Sequence, residues 1–162
     1  ENLRSIRIHG SGSDKYDNVR VGINGRLDTI QAAILLEKLS IFDQEIKLRN
    51  QIADYYKTNL NKNFRTQIIP SGYLSSWAQF SILAETKKHR EKIIHKMQSN
   101  NIPIMVYYKI PLHLQKVFEK LGYKKGDHPI SEMVSNQIFS IPMHPYLTKN
   151  DQDKILEILN NE

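Results

Sequence analysis

Two short stretches of the chain combine residue types that can do chemistry. Gly22-Ile-Asn-Gly-Arg26 comes immediately before a helix start at Asp28. There the Asn24 amide, the Arg26 guanidinium and the first N–H groups of the helix could all address a phosphate or another anion. Val106-Tyr-Tyr-Lys-Ile-Pro-Leu-His113 sets two phenols, an ammonium and an imidazole on one strand-to-loop segment. By pattern alone the plainer alternatives stay open: Arg26 as half of a surface ion pair, Tyr107 and Tyr108 as half-buried rim aromatics, His113 as an ordinary polar residue.

Chemistry that stands alone is not visible. None of the six His forms the i, i+4 pair with a nearby acid that a helical zinc site uses. His113, His128 and His144 can converge only through the fold. With no Cys there is no disulfide framework, thiolate nucleophile or Cys-type zinc site. Gly10-Ser-Gly12 and Gly22-Ile-Asn-Gly25 are fragments of glycine motifs without a preceding strand signal, and no nucleophile elbow or phosphate-binding loop is present. No paired carboxylates share a predicted face in an apolar setting, so acid–base catalysis by this chain alone lacks machinery.

The elements that must position these residues can be traced by periodicity. Gly10, Ser11, Gly12, Ser13, Asp14 and Asp17 make a loop-like opening. Asp28 with Gln31 then reads as the N-terminal cap of a helix that runs without Gly or Pro to Leu60. Along it Leu35, Leu39, Phe42, Ile46, Ala53, Tyr56 and Leu60 form one apolar stripe that skips only Arg49. Such a helix, ~50 Å long, outreaches a domain of this size, so part of its stripe is expected to pack on something outside the chain. Alternation over 78–84 predicts a strand with Ala78, Phe80, Ile82 and Ala84 inward and Trp77 outward. Thr86 caps a helix ending at Asn100-Asn101, and a short strand is expected at 104–107, making a β-α-β stretch. Further helices are predicted from Pro111 to Leu121, from Asp127-Pro129, and from the Thr148/Asp151 box, with a short strand over 139–143. The predicted class is α+β: a small mixed sheet covered by helices, with one long N-terminal helix.

At 162 residues, 40% apolar and 25% charged, the chain reads as one soluble globular unit without internal repeats or linkers. Its longest apolar run, Ala32 to Leu36, is far short of a membrane span, and no secretory leader is visible, so a cytoplasmic setting without a membrane partner is expected. The net charge of +6 comes from 16 Lys and only 7 Arg. The Lys-rich runs carry Glu91 and Glu119 close by, which argues for solvated faces over nucleic-acid binding.

Four stretches then match a known pattern: Ile6-Arg-Ile-His-Gly10, Val21-Gly-Ile-Asn-Gly-Arg-Leu-Asp-Thr-Ile-Gln-Ala-Ala-Ile34, Tyr108-Lys-Ile-Pro-Leu-His-Leu-Gln115 and Ser140-Ile-Pro-Met-His-Pro-Tyr-Leu147. In these the chain resembles the DegT/DnrJ/StrS family of sugar aminotransferases, pyridoxal 5'-phosphate (PLP) enzymes of the aspartate-aminotransferase fold, in the family's order over essentially the whole length. It looks closest to the WbpE-type branch, whose members transaminate a UDP-2-acetamido-3-oxo-glucuronate with glutamate for bacterial surface polysaccharide, as in lipopolysaccharide. The resemblance implies a C-terminal small domain of a fold-type I enzyme: residues 1–27 as the tail of the large-domain connection and 28–162 as the C-terminal aminotransferase domain. It also implies that the Schiff-base lysine, the Asp on the pyridinium nitrogen and the aromatic on the cofactor ring belong to an N-terminal large domain missing here. This chain would then have no catalytic residue of its own and be inactive alone.

Carried over position by position, Asn24 matches an asparagine that reaches across a homodimer to the PLP phosphate of the neighbouring subunit. Arg26 matches an arginine at the same mouth, suited to the sugar carboxylate or a diphosphate oxygen. Tyr107 and Tyr108 match a His-Tyr pair lining the sugar pocket, so Tyr107 departs from the pattern and removes an imidazole that titrates near neutral pH. His113 fits the family's Pro-x-His, and Lys109 stands where the branch has Pro. The competing reading is a non-catalytic basic module that binds RNA or another anion through its Lys-rich faces.

Overall fold

The computed structural model describes residues 1–14 and 16–161. Its elements are α1 (Asn2–Arg7), α2 (Thr29–Asn59), β1 (Arg65–Thr66), β2 (Phe80–Leu83), α3 (Lys87–Ser99), α4 (Pro129–Gln137), β3 (Ile138–Ile141) and α5 (Lys149–Asn160), with two 3-10 turns at Leu112–Leu114 and Lys116–Leu121. They fall into two compact units, Glu1–Asp43 and Gln44–Glu162, with α2 continuing through the boundary.

In the first unit the glycine-rich opening holds a short helix, α1, and then crosses its own backbone. His9 N–H donates to the Ile23 carbonyl at 3.0 Å, Ile23 N–H to Ile6 at 2.8 Å, and Gly25 N–H to Arg7 at 2.8 Å. Gly22 permits this crossing, because a Cβ there would sit 2.0 Å from the Gly10 nitrogen and 2.3 Å from the His9 carbonyl carbon. Asp28 caps α2 as its sequence predicts: Oδ1 accepts from Ile30 N–H at 2.8 Å and from Gln31 N–H at 3.4 Å. The stripe beyond the cap is exposed at Leu35, Leu39 and Phe42, together with Ile30, Ile34 and Leu36.

The second unit closes around the other half of that stripe, where Ile52, Ala53 and Tyr56 are buried. Its three strands lie in the order β1-β2-β3 and pair antiparallel throughout, where a mixed sheet was expected. The register Phe80↔Ile141 and Ile82↔Phe139 puts four large apolar side chains on one face. On the other face Ser81 sits opposite Ser140, their hydroxyls 2.8 Å apart. Tyr56, Trp77 and Phe64 pack aromatic rings onto the apolar face, with centroids 5.2 to 6.2 Å from Phe80 or Phe139. Ile93 and Met97 of α3 and Ile155, Leu156 and Leu159 of α5 complete the core.

Three expectations are corrected here. Trp77 adopts φ +46°, which shifts the alternation by one residue at the strand's entry: Trp77 is buried and Ala78 exposed, the reverse of the pattern. The strand expected at 104–107 is a single antiparallel bridge, Met105 with Ser140, because no second ladder rung forms there. The helix expected from Pro111 is broken into two 3-10 turns, closed by Gly122 at φ +78°, and its apolar residues stay largely exposed. Arg49, the one polar interruption of the α2 stripe, has a role: its guanidinium donates to the Trp77 carbonyl at 2.9 Å and to that of Met143 at 3.4 Å.

Tyr56 is fully buried, its hydroxyl donating to the Pro142 carbonyl at 3.1 Å. Burial, with Asp151 nearby, pushes its phenol well above the ordinary range, so it stays a donor at every physiological pH. Tyr56→Phe leaves that carbonyl unpaired and is expected to cost ~1–3 kcal/mol. Phe80→Ala, which opens a cavity between the Tyr56 and Trp77 rings, should cost ~3–5 kcal/mol. Thr148→Ala removes the oxygen that accepts Asp151 N–H at 3.2 Å and should cost ~1 kcal/mol. Urea midpoints of the three variants measure this ranking.

Candidate functional site

The first unit displays Asn24 and Arg26 on its exposed surface. Asn24 is fixed by backbone pairing with Ile8, and its Oδ1 accepts from Arg26 Nε at 3.3 Å. That contact uses Nε of Arg26 and leaves its two terminal nitrogens and the amide nitrogen of Asn24 as donors. The neighbouring helix end contributes less than its position suggests. Two of the first N–H groups of α2 are taken by the Asp28 carboxylate, which also sets a negative charge where an anion would dock. The anion-directed groups here are therefore side chains, a neutral amide and a guanidinium.

In the second unit Tyr107 and Tyr108 are 49% and 65% exposed, with ring centroids 6.4 Å apart. Tyr107 stands on the wall of a cleft of about 120 Å³ whose other sides include Gln79, Pro103, Met105, Ser140 and Met143. The single bridge between Met105 and Ser140 holds that wall in place. Tyr108 does not line the cleft. Gln79 was not foreseen as a lining residue. It lies beside the point where Trp77 changes the strand's phase, and that left-handed turn has no signature in the apolar pattern.

His113 differs from the tyrosines, because its ring is turned inward. The side chain is 7% exposed, and its Nε2 donates to Glu132 Oε1 at 3.1 Å. The same carboxylate oxygen accepts the Gly126 N–H at 2.7 Å. His128 crosses the His113 ring edge-on at 4.7 Å, and Tyr123 packs on His128 at 5.3 Å. Thus the rings of His113 and His128 do meet, with His113 the one bonded to Glu132, but among the described residues no three such side chains are placed to hold a metal. His144 lies elsewhere, on a separate cleft with Lys154 and Asp151. The 19-residue gap between His113 and Glu132 hides this contact from any local reading.

The Gly126 N–H, and then His113, hold the Glu132 carboxyl below the ordinary carboxylate value. A depressed folded-state pKa contributes stability that is present above the unfolded value of ~4.5 and is lost as pH falls through the lower folded value. The segment from Leu112 to Asp127 should therefore loosen below pH ~4.5, read as loss of Gly126 amide protection by hydrogen exchange. In Glu132→Gln the Gly126 protection should be low throughout, without that acid-dependent step. A wild-type profile flat down to pH 3 would remove Glu132 as the holding group.

Residues 1–160 match the model of the DegT/DnrJ/EryC1/StrS aminotransferase family. The UDP-2-acetamido-2-deoxy-3-oxo-D-glucuronate aminotransferase of Pseudomonas aeruginosa is 37% identical over 146 residues, which are 90% of this chain and 39% of that protein. A DegT DnrJ EryC1 StrS aminotransferase from Brucella abortus superposes with TM-score 0.88 at 44% identity, covering 99% of this chain and 42% of that one. Spr1654 from Streptococcus pneumoniae in its PLP form shares the fold with TM-score 0.85 at 22% identity, over 98% of this chain and 42% of that one. The chain thus spans about two-fifths of the length of these relatives. No helix among the described residues is long and apolar enough to cross a membrane. With a family match that runs over all but the last two residues, the chain belongs to the DegT/DnrJ/EryC1/StrS aminotransferase family.

Proposed function

We propose that the chain serves as the C-terminal part of a PLP-dependent nucleotide-sugar aminotransferase. It would move an amino group from glutamate to a keto sugar, in the first instance a UDP-linked 3-keto sugar for surface polysaccharide. The observation that carries this reading is a family match over residues 1–160 in a chain that spans only two-fifths of its relatives. On this reading residues 1–27 are the tail of a connection and 28–162 the C-terminal domain. The lysine that holds the cofactor belongs to the part of the relatives that this chain does not span.

The residues in hand fit one edge of such a cofactor. A phosphate accepts from an uncharged amide and a guanidinium, and those are what Asn24 and Arg26 present outward. Bound PLP supplies the electron sink for amino transfer. Asn24 Nδ2 would donate to the phosphate of a neighbouring subunit's cofactor in a homodimer. Arg26, its Nε already spent on Asn24, uses its terminal nitrogens on the sugar carboxylate or a diphosphate oxygen. Tyr107 and Tyr108 offer phenols to sugar hydroxyls. Tyr107, in place of an imidazole, keeps a hydrogen-bonding ring on that wall. His113 acts through Glu132, fixing the segment that follows the tyrosines. The exposed Ile34, Leu35, Leu39 and Phe42 of α2 suit burial against the remainder of the enzyme or its partner subunit.

In the full-length protein, Asn24→Ala should weaken PLP retention ~10-fold, followed by absorbance on dialysis, and unchanged retention would remove Asn24 from the site. Arg26→Ala should raise KM for the keto sugar far more than KM for glutamate, and equal rises would argue against a sugar-side role. Borohydride reduction of the 162-residue chain with PLP should label no single lysine stoichiometrically by mass spectrometry; one fully labelled lysine would overturn the assignment of the reactive amine elsewhere.

A further inference from the structure

We propose that Arg4 and Arg20 form a second anion site in the first unit, a cup that takes a phosphoryl group such as a free or nucleoside-linked diphosphate. The inference needs only the residues of this unit and stands whether or not the amino-transfer reading does. Its first support is where the arginines fall. Four of the 7 Arg lie in the first 26 residues, Arg4, Arg7, Arg20 and Arg26, whereas only one of the 16 Lys does. The preference is for planar forks over point charges, and forks match the geometry of paired phosphate oxygens.

The second support is the shape that holds two of them. Arg4, on α1, and Arg20, on the returning segment, line one cup of about 530 Å³ together with Ser11, Ser13 and Val19. Gly10 brings the two sides together. Its φ is +76°, and a Cβ on it would sit 1.8 Å from the Arg20 carbonyl oxygen, so only glycine lets the returning backbone approach this closely. The Val19 N–H donates to the Gly10 carbonyl at 3.0 Å and the Ser5 hydroxyl to the Ser11 carbonyl at 2.5 Å, which ties the walls. Ser5 is thereby spent, and the hydroxyls of Ser11 and Ser13 with the side-chain amide of Asn2 are neutral donors on the lining.

The third support is what the guanidiniums lack. Neither Arg4 nor Arg20 has a hydrogen bond or ion pair from its side chain to another described residue. Glu1 on the rim is the one acidic side chain in the lining, so two guanidiniums against one carboxylate leave the cup positive. Asn24 and Arg26 are not part of it. A dianionic group with several oxygens answers both forks at once, whereas a monoanion answers one.

Titration of the 162-residue chain with inorganic pyrophosphate, UDP, inorganic phosphate and uridine, followed by calorimetry and by amide shifts of Ser11 to Ser13, tests this. Pyrophosphate and UDP should bind saturably and uridine should not; pyrophosphate equalling UDP identifies the diphosphate as the whole ligand, and inorganic phosphate should bind more weakly. Arg4→Gln and Arg20→Gln should each weaken pyrophosphate binding ~10-fold, with Arg65→Gln, an exposed arginine of the second unit, unchanged. Arg4→Lys should recover only part of the loss, because charge returns without the fork. Amide dispersion checks that each variant is folded. Absence of saturable binding would overturn the site, as would equal loss with Arg65→Gln or full recovery with Arg4→Lys.

Discussion

A three-stranded antiparallel sheet has one apolar face that a helix must close, and in this protein the closure falls to the second half of α2. Tyr56 is the residue on which it turns, because its ring covers Phe80 while its hydroxyl ends on the Pro142 carbonyl just past β3. One side chain thus ties the helix to the central strand and to the exit of the edge strand. The polar side of α2 supports the same closure. Arg49 reaches the carbonyls of Trp77 and Met143, and Asn50 accepts the indole N–H of Trp77 at 3.0 Å while donating to the Ser75 carbonyl at 3.0 Å. A left-handed backbone at Trp77 costs ~1–3 kcal/mol, and these bonds are what over-determine it. The cleft beside Tyr107 follows from that turn, since it exposes Ala78 and Gln79 toward Met105.

The caps could be read locally, because each is a contact between residues three or fewer apart. Asp28, Thr86 and Thr148 all accept the N–H groups that their spacing assigns to them. The inward residues of β2 after Trp77, and Ile155, Leu156 and Leu159 of α5, follow their periodicities for the same reason. What fails is non-local. The apolar spacing over 112–121 is helical, yet the segment settles into 3-10 turns because it has no surface in this chain on which to bury that stripe. The residues at 104–107 alternate like a strand, yet only Met105 finds a partner, Ser140 of the four-residue β3.

The candidate site divides along the same line. Asn24 and Arg26 stand in front of α2 as their spacing dictates, and the sequence also contains the reason that the helix end itself cannot serve: the Asp28 that starts the helix is the group that fills its N–H donors. His113 could not be judged in this way. Its chemistry is decided by Glu132 on α4, and α4 is delivered to it through the turn at Gly126. A histidine in an open loop and a histidine locked to a carboxylate 19 residues further on have the same sequence neighbourhood; only the fold separates a group that meets substrate from one that shapes the loop around it.

Charge shows why residue type carries more than net balance. The chain's +6 is spread over lysines on solvated faces, many with acids in reach, as in the Lys87–Glu91 and Lys149–Asp153 pairs. Such pairs are weak and exchange freely with salt. The arginines behave otherwise. Arg49 is consumed by carbonyls, and Arg90 is buried with its Nη1 on the Ser135 carbonyl near the end of α4, where a cation meets the negative end of the helix. In the second unit these guanidiniums serve the fold by bonding to backbone. In the first unit the guanidiniums of Arg4 and Arg20 bond to no described backbone carbonyl, and Arg26 spends a single side-chain nitrogen on Asn24. The same side chain is structural where the carbonyls of the core turn toward it, and it is left for an external anion where glycine-rich backbone satisfies itself.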